Sequence, residues 1–418
     1  MALSKNIGNV SSVPGFVRYL NETAQFMRIL QVHNFYQQAG GEDRVVAAEH
    51  ALLTAKGHSV LQNTVHNDAV NELHSIELGV KTVWNGESYR RIKRLIAEQA
   101  IEIIHVHNTL PLVSPAVYYA AEAHKVPVIQ TLHNYRLLCP AATFFRAGEI
   151  CELCLGKGIK YPAMVHRCYR GSLAASAAVC TMLAAHGLAR TYRRKVHTYI
   201  APTEFARSKF REGGLPADRL VVKPNFLADD PGVGSGSGAY ALFAGRLAPE
   251  KGLAVLLEAW RACPQAIPLK IAGDGPMESQ VRERAAALPN VEYLGVCEHS
   301  RVIHLLKGAA FLVFPSRWYE GMPMVVIESM ACGTPVAAFA VGSLNDLILN
   351  EVNGVKLPFE GTHILERLLT DSGELNGKMA RLRASTRRYF EQNFTADLNY
   401  RLLLDIYNKA LNRPGSLS

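Results

Sequence analysis

The sequence predicts an α/β protein built from two doubly wound parallel sheets, and three observations lead to this prediction. The chain has 418 residues, which is too long for a single hydrophobic core. Short apolar runs alternate with helical segments along both halves, a pattern typical of parallel sheets covered by helices. A stretch rich in Pro, Gly and Ser, PGVGSGSG at 231–238, separates the halves and marks the best domain boundary.

The first half carries five runs that are expected to form buried strands. They are predicted at 27–32, 58–61, 101–106, 127–132 and 196–201. Residues 1–26 are polar and patternless and are expected to form an N-terminal extension. We therefore place the first domain at 27–228 and a Gly/Ser linker at 229–239.

A second alternation follows the linker and defines the second domain at 240–385. Its strands are predicted at 240–244, 269–272, 291–295 and 309–314. One long helical pattern then covers 384–411. We assign residues 386–418 to a C-terminal helix that either caps the second domain or returns to pack on the first.

Composition narrows the choice of partners without settling it. Apolar residues make up 49% of the chain and charged residues 19%, the balance of an ordinary globular protein. The net charge of +9 favours a nucleotide, a phosphorylated lipid, an acidic membrane surface or a nucleic acid. Nucleic acid fits least, because the interleaved aromatic and basic residues of single-strand-binding surfaces are missing. No apolar run reaches the ~18 residues of a membrane span. Residues 1–26 also lack a secretory core, so a cytoplasmic location is expected.

The stretch at 316–336, SRWYEGMPMVVIESMACGTPV, organises the rest of the chain. Glu320 is predicted on a loop after a buried strand, and Glu328 inside the following helix, which Pro323 would begin. Free N–H groups at a helix N-terminus form an anion site, and the carboxylates suit sugar hydroxyls and a ribose diol. An ordinary αβ unit with two solvated glutamates is the alternative, since spaced carboxylates are common.

Glycines and cations cluster at other predicted strand ends. Gly245 and Arg246 follow the strand at 240–244, Lys251 precedes the next helix, and Gly273 opens a GDGP segment. A guanidinium and an ammonium beside a helix N-terminus suit a diphosphate. In the first half, the pair at 40–41 precedes a helix, where glycine lets a backbone approach a ligand. A tight turn explains that pair at least as well.

Two histidines follow strands of the first domain. His107 comes after the strand at 101–106 and His133 after the strand at 127–132. Ligands of doubly wound sheets bind at the carboxyl ends of the strands. A single histidine there is often structural, but two at equivalent strand ends favour a site.

An insert at 139–195 interrupts the alternation and contains a cysteine pattern. Cys139, Cys151, Cys154 and Cys168 have the spacing C-x11-C-x2-C-x13-C. Four thiolates at such spacing predict a closed tetrahedral zinc site of structural type. Reduced thiols are the leading alternative, because only one C-x2-C pair is present.

The segment at 88–99, SYRRIKRLIAEQ, is a basic amphipathic helix. Such a helix can rest on an anionic leaflet, with about 1 kcal/mol per cation near the surface. A solvated helix of an α/β layer is the competing interpretation.

Taken together, these motifs resemble glycosyltransferase family 4, a retaining group with the GT-B architecture. The resemblance rests on strand-GR-x4-K-G, GDGP and E-G-x-P-x4-E-x-M-A-C-G-T-P-V. It is specific over 240–358 and looser over 27–225. It implies two Rossmann-like domains facing across a cleft, with no cofactor required for catalysis.

The resemblance also implies roles for individual residues. Arg246 and Lys251 would bind the donor diphosphate, Glu320 the donor sugar and Glu328 the ribose. His133 would lie beside the anomeric centre, stabilising charge or positioning the acceptor. The remaining residues implied to bind the donor are Gly40, Gly41, Gly245, Gly273, Gly321, Met322, Pro323 and Met324.

The expected activity is transfer of a sugar, with retention, from a UDP- or GDP-linked donor. The cysteine-bearing insert resembles a subgroup of bacterial surface-polysaccharide assembly. It implies a glycan or polyprenyl-diphosphate-linked acceptor and an enzyme at the inner face of the membrane. A nucleotide-sugar 2-epimerase of the same fold is one alternative. A non-catalytic nucleotide- or polyanion-binding protein is the other.

Overall fold

The computed structural model describes residues 26–37, 40–359, 363–370 and 372–412. Nearly all of the predicted N-terminal extension lies outside the described residues, as do residues 413–418 of the tail. Two six-stranded, all-parallel sheets dominate the chain, which confirms the predicted pair of doubly wound domains.

The first sheet has the strand order β2-β1-β3-β4-β7-β8. Its strands are β1 (Arg28–Phe35), β2 (Ser59–His66), β3 (Ile103–Val106), β4 (Val128–Thr131), β7 (Thr198–Ala201) and β8 (Leu220–Val222). A small antiparallel pair, β5 (Phe145–Arg146) and β6 (Glu149–Ile150), lies within the cysteine-bearing insert. β8 was not predicted, because its run of three residues is too short to show a pattern.

Helices cover both faces of the first sheet. They are α1 (Gly41–Ala55), α2 (Ser75–Val83), α3 (Gly86–Glu98), α4 (Ala116–Ala123), α5 (Tyr161–Val165), α6 (Leu173–Leu188), α7 (Thr191–Arg194) and α8 (Glu204–Glu212). The basic helix predicted at 88–99 is α3, and its apolar residues Ile92 and Ile96 are buried in the core of this domain. That apolar face is therefore not available to a membrane, and only the exposed cations of α3 could contact a leaflet.

The second sheet has the strand order β11-β10-β9-β12-β13-β14. Its strands are β9 (Ala241–Ala244), β10 (Leu269–Ala272), β11 (Val291–Gly295), β12 (Phe311–Phe314), β13 (Val336–Phe339) and β14 (Gly354–Leu357). The helices are α9 (Leu253–Ala262), α10 (Glu278–Ala286), α11 (His299–Gly308), α12 (Met324–Ala331), α13 (Ser343–Leu347) and α14 (His363–Thr370).

The tail forms two helices where one was predicted, α15 (Ser372–Asn393) and α16 (Ala396–Asn412). The break has a local cause, because Phe394 is buried in the second domain and the Thr395 hydroxyl accepts from the Leu398 N–H at the start of α16. α15 packs on α12, whereas α16 buries Leu403 and Tyr407 against the first sheet. The end of the chain thus returns to the first domain.

The Gly/Ser segment between the domains contains no helix or strand and is held against the second domain. The N–H groups of Gly234 and Gly236 donate to the carbonyls of Cys332 and Lys307 at 3.0 and 2.9 Å. A Cβ at Gly234 would lie 2.2 Å from the Lys307 oxygen. The glycine composition therefore serves a close backbone approach here.

Candidate active site

The candidate site lies where the strand order of each sheet reverses. In the second sheet β9 pairs with β10 on one side and β12 on the other, so the loops after β9 and β12 diverge. In the first sheet β1 takes the equivalent place between β2 and β3. Crevices at such switch points are the usual ligand sites of doubly wound sheets.

Lys251 and Glu320 form an ion pair at the β9–β12 crevice. Lys251 Nζ lies 2.6 Å from Glu320 Oε1, and the Ser316 hydroxyl donates to the same oxygen at 2.6 Å. The two loops approach closely because Gly252 adopts φ +75°, where a Cβ would lie 1.9 Å from the Pro315 carbonyl oxygen. The ammonium also lies 5.0 Å from the centre of the Trp318 ring. The pair is thus fixed in position from several sides.

Glu328 lies inside α12 and is 2% exposed. Its Oε1 accepts from Arg44 Nη1 at 2.9 Å and lies 3.0 Å from His299 Nε2. Arg44 belongs to α1 of the first domain, so this ion pair spans the two domains. Its half-exposed guanidinium makes it a contact of modest strength.

Glu320 and Glu328 share one feature that suits ligand binding. Both use Oε1 for their protein contacts, and within the described residues Oε2 of neither side chain has a hydrogen-bond partner. Neither Oε2 is among the buried unpartnered atoms. Each glutamate therefore has one oxygen held by the protein and the other open to accept a hydroxyl.

The Gly321–Met324 segment joins the two glutamates and contacts the first domain. A Cβ on Gly321 would lie 2.6 Å from the His133 carbonyl oxygen, and the Tyr135 hydroxyl donates to the Glu320 carbonyl at 3.2 Å. Asn225 Nδ2 donates to the Met322 carbonyl at 3.1 Å. Pro323 precedes α12 as its N-cap, one position earlier than predicted, so the helix begins at Met324.

Arg246 and the predicted donor-binding glycines lie around this crevice. Arg246 is exposed after β9, and its guanidinium forms no hydrogen bond or ion pair with the described residues, although its carbonyl accepts from the Ala248 N–H at 3.1 Å. A Cβ on Gly245 would have no atom within 4 Å, whereas a Cβ on Gly273 would lie 2.0 Å from the Gly245 carbonyl oxygen.

The predicted glycines of the first domain lie across the interface. A Cβ on Gly41 would meet Met324 Cγ at 3.5 Å. The N–H of Gly40, just before α1, donates to Asp43 Oδ2 at 2.9 Å. The predicted residues thus converge from both domains.

A buried histidine cluster lies behind the first-domain side of the cleft. His133 Nε2 is 2.9 Å from His107 Nδ1, and the two rings are stacked with centroids 5.2 Å apart. Burial lowers the pKa of both imidazoles well below the ordinary value, and neighbouring histidines and Lys223 lower it further. Both rings are therefore neutral at physiological pH.

Glu49, His105 and His107 offer potential metal ligands within 4.8 Å of one another, and no other such group occurs among the described residues. The buried Lys223 ammonium, however, lies 2.7 Å from Glu49 Oε1. It already balances the carboxylate charge, although Glu49 Oε2 is buried without a hydrogen-bond partner.

Sequence reasoning missed several residues of the site. Arg44, His299 and Ser316 hold the glutamates but were not predicted as site residues. Ser316 opens the stretch at 316–336, whereas Arg44 and His299 lie outside every motif. Glu42 also faces the cleft wall, where Tyr36 and Asn134 donate to its Oε2 at 3.2 Å. Burial, with Asp43 nearby, raises the Glu42 pKa to about 8. An acidic pair directly after two glycines was the signal that could have found it.

Cys139, Cys151, Cys154 and Cys168 line one pocket, with His166. All eight cysteines are free thiols, and no three of these four sulfur atoms lie within 4.8 Å of one another. Thiolates around one zinc ion stand about 3.8 Å apart at the usual bond length. The thiols in this conformation are therefore gathered but not arranged as ligands, and zinc stays a prediction of the sequence.

Comparisons with known proteins cover both domains. Residues 39–225 match the family model of the glycosyl transferase 4-like domain, and residues 233–388 match that of glycosyl transferases group 1. The chain is 28% identical over 380 residues to a D-inositol 3-phosphate glycosyltransferase of Xylanimonas cellulosilytica, covering 83% of this chain and 79% of the relative.

Two further similarities agree with these matches. An alpha-monoglucosyldiacylglycerol synthase of Streptococcus pneumoniae is 24% identical over 367 residues, with 82% of this chain and 78% of the relative covered. The Anabaena protein Alr3699/HepE, solved with UDP-glucose, has the same fold with a TM-score of 0.64 at 17% identity, covering 92% of this chain and all of that one. The two-domain fold is therefore GT-B, and the chain belongs to the group 1 glycosyltransferases.

Proposed function

We propose that this enzyme transfers a hexose, with retention of anomeric configuration, from a UDP- or GDP-linked donor to a lipid-linked or glycan acceptor of a bacterial surface polysaccharide. The observation that carries the proposal is the convergence of Lys251, Glu320 and Glu328 at one crevice. The UDP-glucose bound to the HepE protein favours a uridine donor.

In the proposed reaction the donor diphosphate lies between the Gly245 turn and the start of α12. The Arg246 guanidinium, which has no partner among the described residues, and the Lys251 ammonium offset the negative charge on the departing diphosphate. Fixed charges aimed at developing charge commonly supply the largest catalytic contribution. Glu328 Oε2 accepts from the ribose diol, and Glu320 Oε2 from a hydroxyl of the sugar.

The proposed transfer needs no covalent intermediate between the sugar and the enzyme. The bond between the anomeric carbon and the phosphate oxygen breaks, and the electron pair stays on the diphosphate. The acceptor hydroxyl attacks the same face of the sugar and gives its proton to the leaving phosphate. His133 lies beside this centre and contributes a polar contact.

A lipid acceptor is supported by an apolar groove on the first domain. The groove lies between α2 and α6 and is lined by Ile76, Gly79, Val80, Val83, Trp84, Ala178 and Thr181. Ile76 is 73% exposed and Val80 62%. The adjoining helix α3 exposes Arg90, Arg91 and Arg94. Apolar residues beside cations suit the interface of an anionic leaflet. No helix within the described residues has the length and apolar character needed to cross a membrane.

The experiment that tests the proposal measures melting temperature with UDP-, GDP-, ADP- and CMP-linked sugars. A ligand that binds only the folded state adds about 2.7 kcal/mol at a hundredfold excess over its Kd. We expect a shift with one nucleotide family, and sugar transfer to a polyprenyl-diphosphate-linked acceptor with that donor. Conversion of the donor to an isomer in the absence of any acceptor would instead identify an epimerase. An unchanged melting temperature with every donor would contradict the proposed site.

A further inference from the structure

His107 connects the cleft histidine to the interior of the first domain. It follows β3, and its Nδ1 is 2.9 Å from Nε2 of His133. Its other ring nitrogen, Nε2, is 3.3 Å from Nε2 of Gln31 on the neighbouring strand β1. His107 is 4% exposed and Gln31 1%. The hydrogen bonds of this buried chain therefore decide which nitrogen of each ring carries a proton.

The orientation of the Gln31 amide is fixed by two neighbours. Gln62 Nε2 donates to Gln31 Oε1 at 2.7 Å, and Gln31 Nε2 donates to the Val46 carbonyl at 3.2 Å. A carbonyl oxygen only accepts, so a flipped amide would place two oxygens against each other at Val46. The second N–H of the Gln31 amide consequently points at His107 Nε2.

This orientation selects the tautomer of His107. A ring nitrogen that faces an N–H must accept, so the His107 proton belongs on Nδ1. The competing partner is Glu49 Oε2, a buried oxygen without a hydrogen-bond partner, but it lies 3.6 Å from His107 Nε2, beyond hydrogen-bond length. Lys223 also already neutralises this carboxylate through its other oxygen. His107 Nε2 therefore accepts from the Gln31 amide and does not donate to Glu49.

His107 in turn selects the tautomer of His133. Its Nδ1–H donates to Nε2 of His133, which leaves the His133 proton on Nδ1. That Nδ1 has no partner within the described part of the chain and is not among the buried unpartnered atoms. It is therefore open to the cleft.

We propose that Gln31 and His107 are positioning residues that hold His133 as its neutral Nδ1–H tautomer, so that His133 presents a hydrogen-bond donor to a hydroxyl of the bound sugar. The part that concerns the sugar rests on the proposed function. A positive charge on His107 or His133 is disfavoured, because both rings are buried and the Lys223 ammonium is nearby. His133 then acts as a donor throughout turnover and removes no proton from the acceptor.

The first test measures the tautomers directly. The whole protein, with ¹⁵N-labelled histidine, is examined by NMR between pH 6 and 8 without ligands, and His133 is assigned by the signal lost in His133→Gln. We expect a proton on Nδ1, an unprotonated Nε2 and no titration. A proton on Nε2 of His133 would overturn the proposal, whatever the enzyme transfers.

The second test reverses the chain of hydrogen bonds. In Gln31→Glu the carboxylate accepts from Nε2–H of His107. Nδ1 of His107 must then accept from Nε2–H of His133, so that Nδ1 of His133 no longer carries the proton that faces the cleft. We expect the His133 proton to move to Nε2 and kcat to fall about tenfold, as for one lost hydrogen bond. The nucleotide-induced melting shift should remain, which shows that the fold and the donor site persist.

Gln31→Met is the matched variant, because it removes the amide donor without supplying an acceptor. We expect a smaller loss of kcat and a mixture of His133 tautomers. An unchanged tautomer and unchanged kcat in Gln31→Glu would show that the cluster is only structural. Failure of the wild type to transfer sugar would count against the proposed function and leave the NMR result standing.

Discussion

Lys251 Nζ lies 2.6 Å from Glu320 Oε1, and the two side chains are 15% and 7% exposed. This ion pair joins the loop after β9 to the loop after β12 at the switch point of the second sheet. Before the donor arrives, Glu320 holds the ammonium at the position where a diphosphate would need it. Because a partly buried cation without a partner is costly, the carboxylate keeps the site preorganised, and donor binding replaces one anionic partner by another.

Removing this ammonium should abolish most transfer without unfolding the protein. We expect Lys251→Ala to lower kcat by ~10²–10³, the usual loss for one contact that stabilises developing charge. The measurement is steady-state kinetics with the donor found by melting. Lys270→Ala is the matched control, since Lys270 pairs with Glu292 at 3.1 Å on the same sheet outside the crevice. Wild-type turnover in Lys251→Ala would remove Lys251 from the site.

A methyl group at Gly321 should move the sugar-binding loop away from the first domain. The added Cβ would lie 2.6 Å from the His133 carbonyl oxygen, a separation that real Cβ atoms do not tolerate. A displacement of about 1 Å can cost a hundredfold in rate, so we expect kcat to fall by roughly that factor in Gly321→Ala. Gly187→Ala in α6 has open space around its Cβ and should retain full activity. Equal rates for both variants would show that the interdomain contact is not required.

The Glu42 carboxyl should make stability depend on pH near neutrality. Its folded pKa of about 8 lies above the unfolded value, so the folded state keeps a proton that the unfolded state has lost. The Glu42 carboxyl should therefore lower stability from pH 6.5 to 8, by roughly 1 kcal/mol per pH unit. Burial lowers the pKa of His105, His107 and His133, so these imidazoles take up protons mainly in the unfolded state and reduce stability as the pH falls toward 6.5, which opposes the Glu42 effect. The Glu42 contribution is therefore the difference between the wild type and a variant that lacks this carboxyl.

Denaturant unfolding at pH 6.5, 7.2 and 8 measures this dependence. Compared with Glu42→Gln, whose amide does not titrate, the wild type should lose roughly 1 kcal/mol more stability per pH unit. Glu98→Gln, on the exposed face of α3, should behave as the wild type does. An identical slope in the wild type and Glu42→Gln would contradict the raised pKa.

The exposed apolar residues of α2 should bind an anionic membrane surface. We expect the wild type to cosediment with phosphatidylglycerol vesicles at low salt and to remain in solution with phosphatidylcholine. Ile76→Glu combined with Val80→Glu should reduce binding severalfold, because charges would have to enter the apolar side of the interface. Val296→Glu is the control, since Val296 is equally exposed at 72% but belongs to the second domain. If Val296→Glu weakens vesicle binding and the double variant of α2 does not, the membrane contact lies on the second domain.

The sequence predicted the local parts of this molecule well. Apolar runs identified the strands at the centre of both sheets, because a strand covered on both faces needs an unbroken apolar run. Arg246 and Glu320 stood out because motif spacing places them on loops after such strands, and Lys251 and Glu328 because they lie before or within the helices that follow. Several elements were not predicted, among them β8 with three residues, β13 and β14 of the second sheet, and the break between α15 and α16.

By itself, then, the sequence determined where the central strands run and which charged groups follow them, whereas β1 and β2 extend beyond their predicted ends. Tertiary structure alone decided what those groups meet. Arg44 reaches Glu328 across 284 positions of sequence, and His107 and His133 come together because β3 and β4 are neighbours. The apolar face of α3 is covered by its own domain, whereas α2 leaves its apolar side chains exposed. The physical reason is that a periodic pattern shows only that one face of an element must be buried. Which surface covers that face depends on how elements distant in sequence pack.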